Sequence, residues 1–285
     1  MVNRTVTGLT HYDIQMRRRR QIVEEARTQQ RAIVRKADVE LFETPRRMRT
    51  GCYVGVDGDR PSRIIDAYVH EVDPGVVTTI HRHSWDAVML VVAGHGWTEV
   101  DGVRHAYRPW DSIYLPAWAW HRQGNDGTKT ARFMTFSTEP TTSVIGASFL
   151  DDRGDASFSE LPPPPLVSPG VSGADPYARR LRRIEEYQRD YRTGRIHVPY
   201  EDLTLLVNRK GTRSTFMLDP FLGSKTSGLT LAMNQLAPQK WQKKHRHGGE
   251  AWLYALEGRG HSVIDGERYD WSEGDLVVVD HWAWH

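Results

Sequence analysis

Six of the chain's 13 histidines fall into two sets with one spacing. His81 and His83 are followed by His121, and His245 and His247 by His285, so the third histidine lies 38 residues past the second in both sets (121 − 83 and 285 − 247). A neutral imidazole offers a nitrogen lone pair to a metal. Three imidazoles from neighbouring strands form a facial ligand set that leaves coordination positions open for substrate. A lone His-x-His pair says little, because exposed histidines at that spacing are common. Found twice, each time with Trp-Ala-Trp-His at the same downstream distance, it points to metal binding by at least one set. The candidate ligands are His81, His83, His121, His245, His247 and His285.

The elements that must position these rings come from the same comparison. A shift of 164 positions (245 − 81) lays His81, His83, Gly94, Gly96, Asp101-Gly102, Asp111 and Trp118-Ala119-Trp120-His121 on their second counterparts without a gap. Such an internal repeat means two copies of one folding unit. Alternate side chains of a strand face the same way, so each His-x-His pair projects from one face. From about Ile64 to Phe136, short β-rich runs are cut by Pro-Gly, Asp-Gly and Asn-Asp-Gly turn signals, which predicts antiparallel hairpins. The second block begins near Leu203.

Helix formers from about Tyr12 to Leu41 predict an N-terminal helical arm. Residues 151–174, with Pro162 to Pro165 and Ser168-Pro169-Gly170, read as an extended linker that forms neither ladder nor helix. Asp175-Pro176 then caps a helix whose Tyr177, Leu181, Ile184, Tyr187 and Tyr191 recur on one stripe, with the tyrosines expected in the core. The expected division is an arm over 1–50, a barrel over 51–150, a proline-rich linker and helix over 151–200, and a second barrel over 201–285.

Composition narrows the function classes. With 285 residues, 39% hydrophobic and 26% charged, and a formal charge of +2, the chain is expected to be a soluble globular protein. The basic run Arg17 to Arg20 stands beside Glu24 and Glu25 and reads as solvated helix surface, so nucleic acid is not an expected partner. Neither a signal-peptide core nor a bilayer-length apolar run occurs, so no membrane partner is expected. The single cysteine, Cys52, leaves no intramolecular disulfide and fits a cytoplasmic location.

His-x-His, a glycine about ten residues on, Asp-Gly, then Trp110-Asp111 or Gly274-Asp275 and a late histidine resemble the two-part motif of the cupins. Two copies resemble a bicupin. The resemblance covers about residues 64–136 and 203–285. It implies an all-β fold of two double-stranded β-helix (jelly-roll) barrels, each with a metal in its mouth, joined to the helical arm and the inter-domain helix. The stretches IHRHSWDAVMLVVAGHGWTEVDG and VDGVRHAYRPWDSIYLPAWAWHRQGND look most like the gentisate 1,2-dioxygenase branch, which includes salicylate and hydroxynaphthoate ring cleavage. That branch implies an Fe(II) oxidoreductase of aromatic compound catabolism, acting on a hydroxylated aromatic acid and O2. Mn, Ni or Zn also suit three imidazoles.

Two departures from the motif bear on the site. The glutamate that most cupins carry four or five residues past the second histidine is replaced by Ala87 and Val88, and by Ala251 and Trp252. Asp86 and Glu250 lie one residue too early, so each is a ligand only if the strand bends there. At the late histidine the chain reads Trp120-His121-Arg122-Gln123. Gln123 shares the inward face of His121 and either orients the substrate or makes a neutral hydrogen bond nearby. Trp85 either walls the substrate pocket or fills the barrel, while Trp118 and Trp120 have the opposite parity from His121 and read as packing. Lys243 holds the place of Thr79 and would repel a metal near the second set, which favours the first.

The sequence stops at His285, ahead of the strands expected to close the second barrel, so either it is truncated or more chain follows. Edges left open would be unstable or would pair with another chain, and the homo-oligomer (dimer or tetramer) that the family resemblance also implies would help cover them. Two other function classes remain. One is a cupin metalloenzyme of another reaction type, such as a decarboxylase, lyase, isomerase or an oxygenase on a non-aromatic compound. The other is a non-catalytic bicupin that binds a small molecule.

Overall fold

Each β-rich run between Ile64 and Phe136 contains an antiparallel strand in a computed structural model, which describes residues 8–28, 32–55, 60, 62, 64–162, 173–192, 194–222, 226 and 228–285. Two sheets build the first barrel. One has the order Leu150–Asp152, His81–His83, His121–Gly124, Gly96–Val100, Val103–Tyr107. The other runs His197–Val198, Ser112–Leu115, Ala87–Ala93, Ala131–Ser137, Asp66–Val72, Arg49–Val54, Phe42–Glu43. Strand alternation turns Ala87, Met89, Val91, Ile113, Leu115, Ala131 and Phe133 of the larger sheet toward Val100 and Tyr107 of the smaller, and these side chains are the core. The all-β barrel predicted from the motif is therefore present.

The Gly-x-Gly pair has two separate jobs. Gly94 and its counterpart Gly258 have φ of +80° and +85°, in the left-handed region that favours glycine. Gly96 and Gly260 are needed for space, since a Cβ would collide with the Tyr107 ring in one copy and the Trp271 ring in the other.

The repeat extends further upstream than the histidine motif suggests. The strands Leu206–Val207, Arg213–Leu218 and Leu231–Gln235 form a sheet of their own, and its register repeats that of Phe42–Glu43, Arg49–Val54 and Asp66–Val72. Arg49 pairs with Glu71 as Arg213 pairs with Gln235, and the bulge at Cys52/Val54 recurs at Phe216/Leu218. Bulges persist because they fix where a strand bends.

The arms are exchanged between the copies. His197 and Val198, just ahead of the second copy, pair with Ile113 and Ser112 of the first. Ile33 and Val34, ahead of the first copy, pair with Val277 and Leu276 of the second in the same register. One carboxylate seals each junction. Asp111 accepts from Tyr200 N (2.8 Å) and His197 Nε2 (2.9 Å); Asp275 accepts from Lys36 N (2.9 Å) and Arg35 Nη1 (3.0 Å). Burial alone would raise the pKa of Asp111, but the hydrogen bonds from His197, Tyr200 and Arg108 outweigh it and hold the carboxyl below its usual range. Two compact units result, Ala37–Lys243 and the pair of segments Met1–Lys36 and Lys244–His285. In the second unit Ile264, Val277, Val279 and Ala283 pack with Ile33, Ala251, Tyr269 and Trp271.

Three expectations need correction. The N-terminal helix is His11–Thr28; past it, β-branched Ile33 and Val34 take the edge of Leu276–Val279, a tertiary pairing that overrides helix propensity. The linker is not wholly without ladder, since Leu150–Asp152 pairs with His81–His83, while residues 163–172 lie outside the described ones. The helix Pro176–Arg192 is capped by Asp175, whose Oδ1 accepts from Tyr177 N and Ala178 N, but Tyr177 is 67% exposed and Ala178 takes the buried place. The side chains of Tyr187 and Tyr191 lie outside the described residues. Among the described residues no helix is long and apolar enough to cross a membrane.

Replacing Asp111 with Ala should cost about 3 kcal/mol, since buried main-chain and imidazole donors would lose a charged acceptor. Asp275→Ala should cost a similar amount in the other unit. Urea unfolding of the two variants checks both values.

Candidate metal centre

His81 and His121 are direct cross-strand partners, and His83 follows two residues on from His81 on the same face. Ring centroids lie 4.0 Å apart for His81–His121, 4.7 Å for His83–His121 and 5.7 Å for His81–His83. One nitrogen from each lies within 4.8 Å of the others, and all three rings are buried. Two of the rings are tied back in the same way. Nδ1 of His83 donates to Trp85 O (2.7 Å) and Nδ1 of His121 to Ala119 O (2.9 Å). A neutral imidazole that donates from Nδ1 carries its lone pair on Nε2, the tautomer a metal needs.

The surroundings keep these rings uncharged. Burial pushes His81 and His121 well below an ordinary imidazole, each helped by a neighbouring histidine, and takes His83 down to about 4. Trp85 lies flat on His83, with centroids 4.5 Å apart and planes at 5°, so it covers a face of that imidazole. Between the paired histidines, Arg82 points to the other side of the sheet. Its guanidinium sits 4.4 Å from the Trp118 ring and 4.2 Å from the Trp120 ring and meets Asp151 at 3.1 Å. The expected packing role of the two tryptophans is thus a clamp on the strand that carries His81 and His83.

The second set repeats the geometry with less cover. His245, His247 and His285 form a half-buried group, again with one nitrogen each within 4.8 Å. Centroids are 4.2, 4.9 and 5.8 Å apart, and His247 and His285 donate from Nδ1 to Gly249 O (2.7 Å) and Ala283 O (3.1 Å). All six predicted residues are therefore brought together, three and three.

Asp86 and Glu250 stand outside both groups. Asp86 Oδ1 accepts from Tyr114 Oη (2.8 Å) and Ala117 N (3.0 Å), so it braces the loop ahead of Trp118. Glu250 Oε1 lies 3.7 Å from His281 Nε2. Gln123 is buried on the strand of His121, where its Oε1 accepts from Thr78 Oγ1 at 3.3 Å.

One residue of the site was not among the sequence candidates. Arg46 directs Nη2 at both ring nitrogens of His81, 2.6 Å from Nδ1. Its Nε is sealed from solvent without a hydrogen-bond partner, and burial lowers the guanidinium to about 10 against the opposing pull of Asp152. That aspartate is already engaged, by Thr79 Oγ1 (2.8 Å) and Gly154 N (2.8 Å). Among the described residues no carboxylate pairs with Arg46. A divalent cation and a guanidinium do not share one imidazole lone pair, so a metal at the three histidines would release Arg46 from His81.

The cupin domain signature matches residues 68–137 and 233–285, one stretch around each histidine set. The chain thus carries two cupin domains, one around each histidine set. It is 27% identical over 237 residues to 1-hydroxy-2-naphthoate 1,2-dioxygenase of Nocardioides sp. (strain KP7), covering 79% of this chain and 59% of that protein. It is 25% identical over 221 residues to gentisate 1,2-dioxygenase 1 of Aquipseudomonas alcaligenes, covering 73% of this chain and 62% of that protein. It spans about three fifths of the length of these relatives. Among solved structures, a single-residue variant of salicylate 1,2-dioxygenase from Pseudoaminobacter salicylatoxidans in complex with gentisate shares the fold with a TM-score of 0.56 at 19% identity, over 93% of this chain and 76% of that one. Oxalate decarboxylase of Lactobacillus farciminis shares it with a TM-score of 0.61 at 13% identity, over 89% of this chain and 80% of that one.

A buried histidine with a depressed folded pKa keeps its stability above the unfolded value of about 6.5 and loses it as pH falls below that, because the unfolded chain alone takes up the proton. In this chain it holds for His81, His83 and His121, and for His70, which burial between the hydroxyls of Thr50 and Thr135 lowers to about 3. Asp66, raised by burial to about 7, acts in the opposite sense with a single proton. The metal-free protein should therefore lose urea resistance steadily from about pH 6.5 to about pH 4. Unfolding midpoints that stay flat over this window would contradict the neutral-imidazole assignment.

Proposed function

We propose that this bicupin is an Fe(II)-dependent dioxygenase that opens the ring of a hydroxylated aromatic acid of gentisate or salicylate type. The observation that carries the reading is Arg46, a largely desolvated guanidinium without a carboxylate partner, set against three neutral imidazoles. A ligand set without charge leaves a divalent metal its full positive charge, and with Arg46 the site holds two unneutralised positive centres. The complement is an anionic chelator, an acid with a neighbouring hydroxyl. The relatives named for hydroxynaphthoate and gentisate support the same class.

The donor set fits the metal, since two of the three rings present the tautomer that coordinates and all are held uncharged. Bound there, ferrous iron would hold the ring oxygen and dioxygen side by side and let electron density pass between them. Arg46 binds the substrate carboxylate and fixes which ring edge faces the histidines. Trp85 keeps His83 in plane, and the inward amide of Gln123 is assigned a hydrogen bond that orients the ring. In this reading the protein is a cytoplasmic homo-oligomer, and the second histidine set holds a second metal.

Anaerobic reconstitution with Fe(II), followed by oxygen uptake with gentisate, salicylate, hydroxynaphthoate and aminophenol, tests the reaction. Uptake with at least one of the acids is expected. Metal bound without uptake would turn the assignment to another cupin metalloenzyme chemistry, such as decarboxylation. Arg46→Met should raise KM for the acid about a hundredfold, roughly 3 kcal/mol, while metal content holds. Metal analysis should find two ions per chain, falling to one in His83→Ala and in His247→Ala, with oxygen uptake lost in the first.

A further inference from the structure

Arg82 separates His81 from His83 in the chain and points away from both, yet it is only 8% exposed. Its Nε is sealed from solvent without a hydrogen-bond partner. A methionine or leucine would fill the same space without that cost. The carboxylate it meets is shared, since Arg153 Nε lies 2.7 Å from Asp151 Oδ1. What only a guanidinium supplies there is a flat cation laid against two indoles, those of Trp118 and Trp120.

Those indoles belong to the loop on which the histidines depend. Trp118 N donates to His83 O (2.6 Å), and Ala119 O accepts from Nδ1 of His121 (2.9 Å). Trp118 holds φ of +64°, a conformation that a bulky residue keeps only when its neighbours impose it. Without the cation on its ring, Trp118 would relax toward negative φ, drawing its amide from His83 O and turning the next carbonyl away from His121. Both strands of the ligand set would then lose their common reference. The second copy makes the same links. Arg246 lies 5.4 Å from the Trp282 ring and 4.6 Å from the Trp284 ring, Trp282 donates to His247 O (2.9 Å), and Ala283 O accepts from His285 Nδ1 (3.1 Å). Beside these histidines Gly248-Gly249 stands where the first copy has Ser84-Trp85, but the arginine and both tryptophans recur.

We propose, resting on the metal-dependent reading above, that Arg82 is a positioning residue of the first metal centre. By locking Trp118 to the His81–His83 strand it sets how tightly, and in what geometry, the three imidazoles hold a divalent cation. A charge acting only through space has the opposite sign. Repulsion between Arg82 and the metal would make its deletion tighten binding, whereas loss of the lock weakens it.

Cobalt(II) titration of the full chain carrying His247→Ala, in which only the first histidine set is complete, tests the assignment. The visible absorption bands of bound cobalt report its ligand geometry. Adding Arg82→Met should raise the cobalt Kd about tenfold, as removal of residues that orient metal ligands does, and shift the bands. Arg82→Lys keeps the charge but not the flat stack, and should lose about threefold with a shift of the same kind. Asp151→Asn removes the ion pair alone and should leave the bands in place. Cobalt held as tightly or more tightly by Arg82→Met, with unchanged bands, would overturn the proposal; if that variant does not fold, the same result with Arg82→Lys would do so. An Asp151→Asn chain that reproduces the whole loss would also overturn it, since the ion pair and not the indole lock would then be the cause. A His247→Ala chain that takes up no cobalt would sink the metal-dependent reading together with this one, whereas cobalt held equally with and without Arg82 sinks this one alone.

Discussion

The main-chain pairing of His81 with His121 is the contact on which the first barrel depends. It sets two rings from different strands side by side, and the two-residue period of the strand brings His83 to the same point. The rings are then useful only if uncharged, since three imidazolium ions would repel one another and any metal. The fold meets that condition by burial and by the Nδ1 hydrogen bonds of His83 and His121, which choose the tautomer. The same arrangement explains why Arg46 matters, because a buried cation beside neutral rings lacks a paired negative charge among the described residues.

The Trp-Ala-Trp-His stretch shows how a motif can hold a site without touching its ligands. In both copies the histidine faces inward while the tryptophans lie on the other side of the sheet, on the arginine between the paired histidines. Trp118 and Trp282 have φ of +64° and +58°, an uncommon conformation for a bulky residue. The loop carbonyl at the next residue then accepts the Nδ1 hydrogen of the late histidine. A strained turn, a cation clamp and a ligand tautomer are thus parts of one device, written twice.

Most of this was legible in the residues because it depends on parity and spacing. Histidines two apart share a face in any strand, and a gap-free repeat shows that the face matters. Arg46 could not be read in that way, since it lies in a turn 35 residues before His81 and reaches the site only through the fold. The upstream half of the repeat was hidden for a different reason. The register of Arg49–Val54 and Arg213–Leu218 survives although few side chains match, because a sheet fixes hydrogen-bond pairing and bulges while allowing many residues on each face. The missing helix after Thr28 and the exposed Tyr177 show where a local signal yields to what lies beside it in space.

The exchange of arms has a consequence for inheritance. Each half of the molecule finishes the other's sheet, so neither could be lost or shuffled elsewhere without leaving a raw edge on the survivor. A copy cut out alone would keep its arm but lose the edge on which that arm lies. Because both copies share one polypeptide, each arm reaches its edge without an encounter between separate molecules.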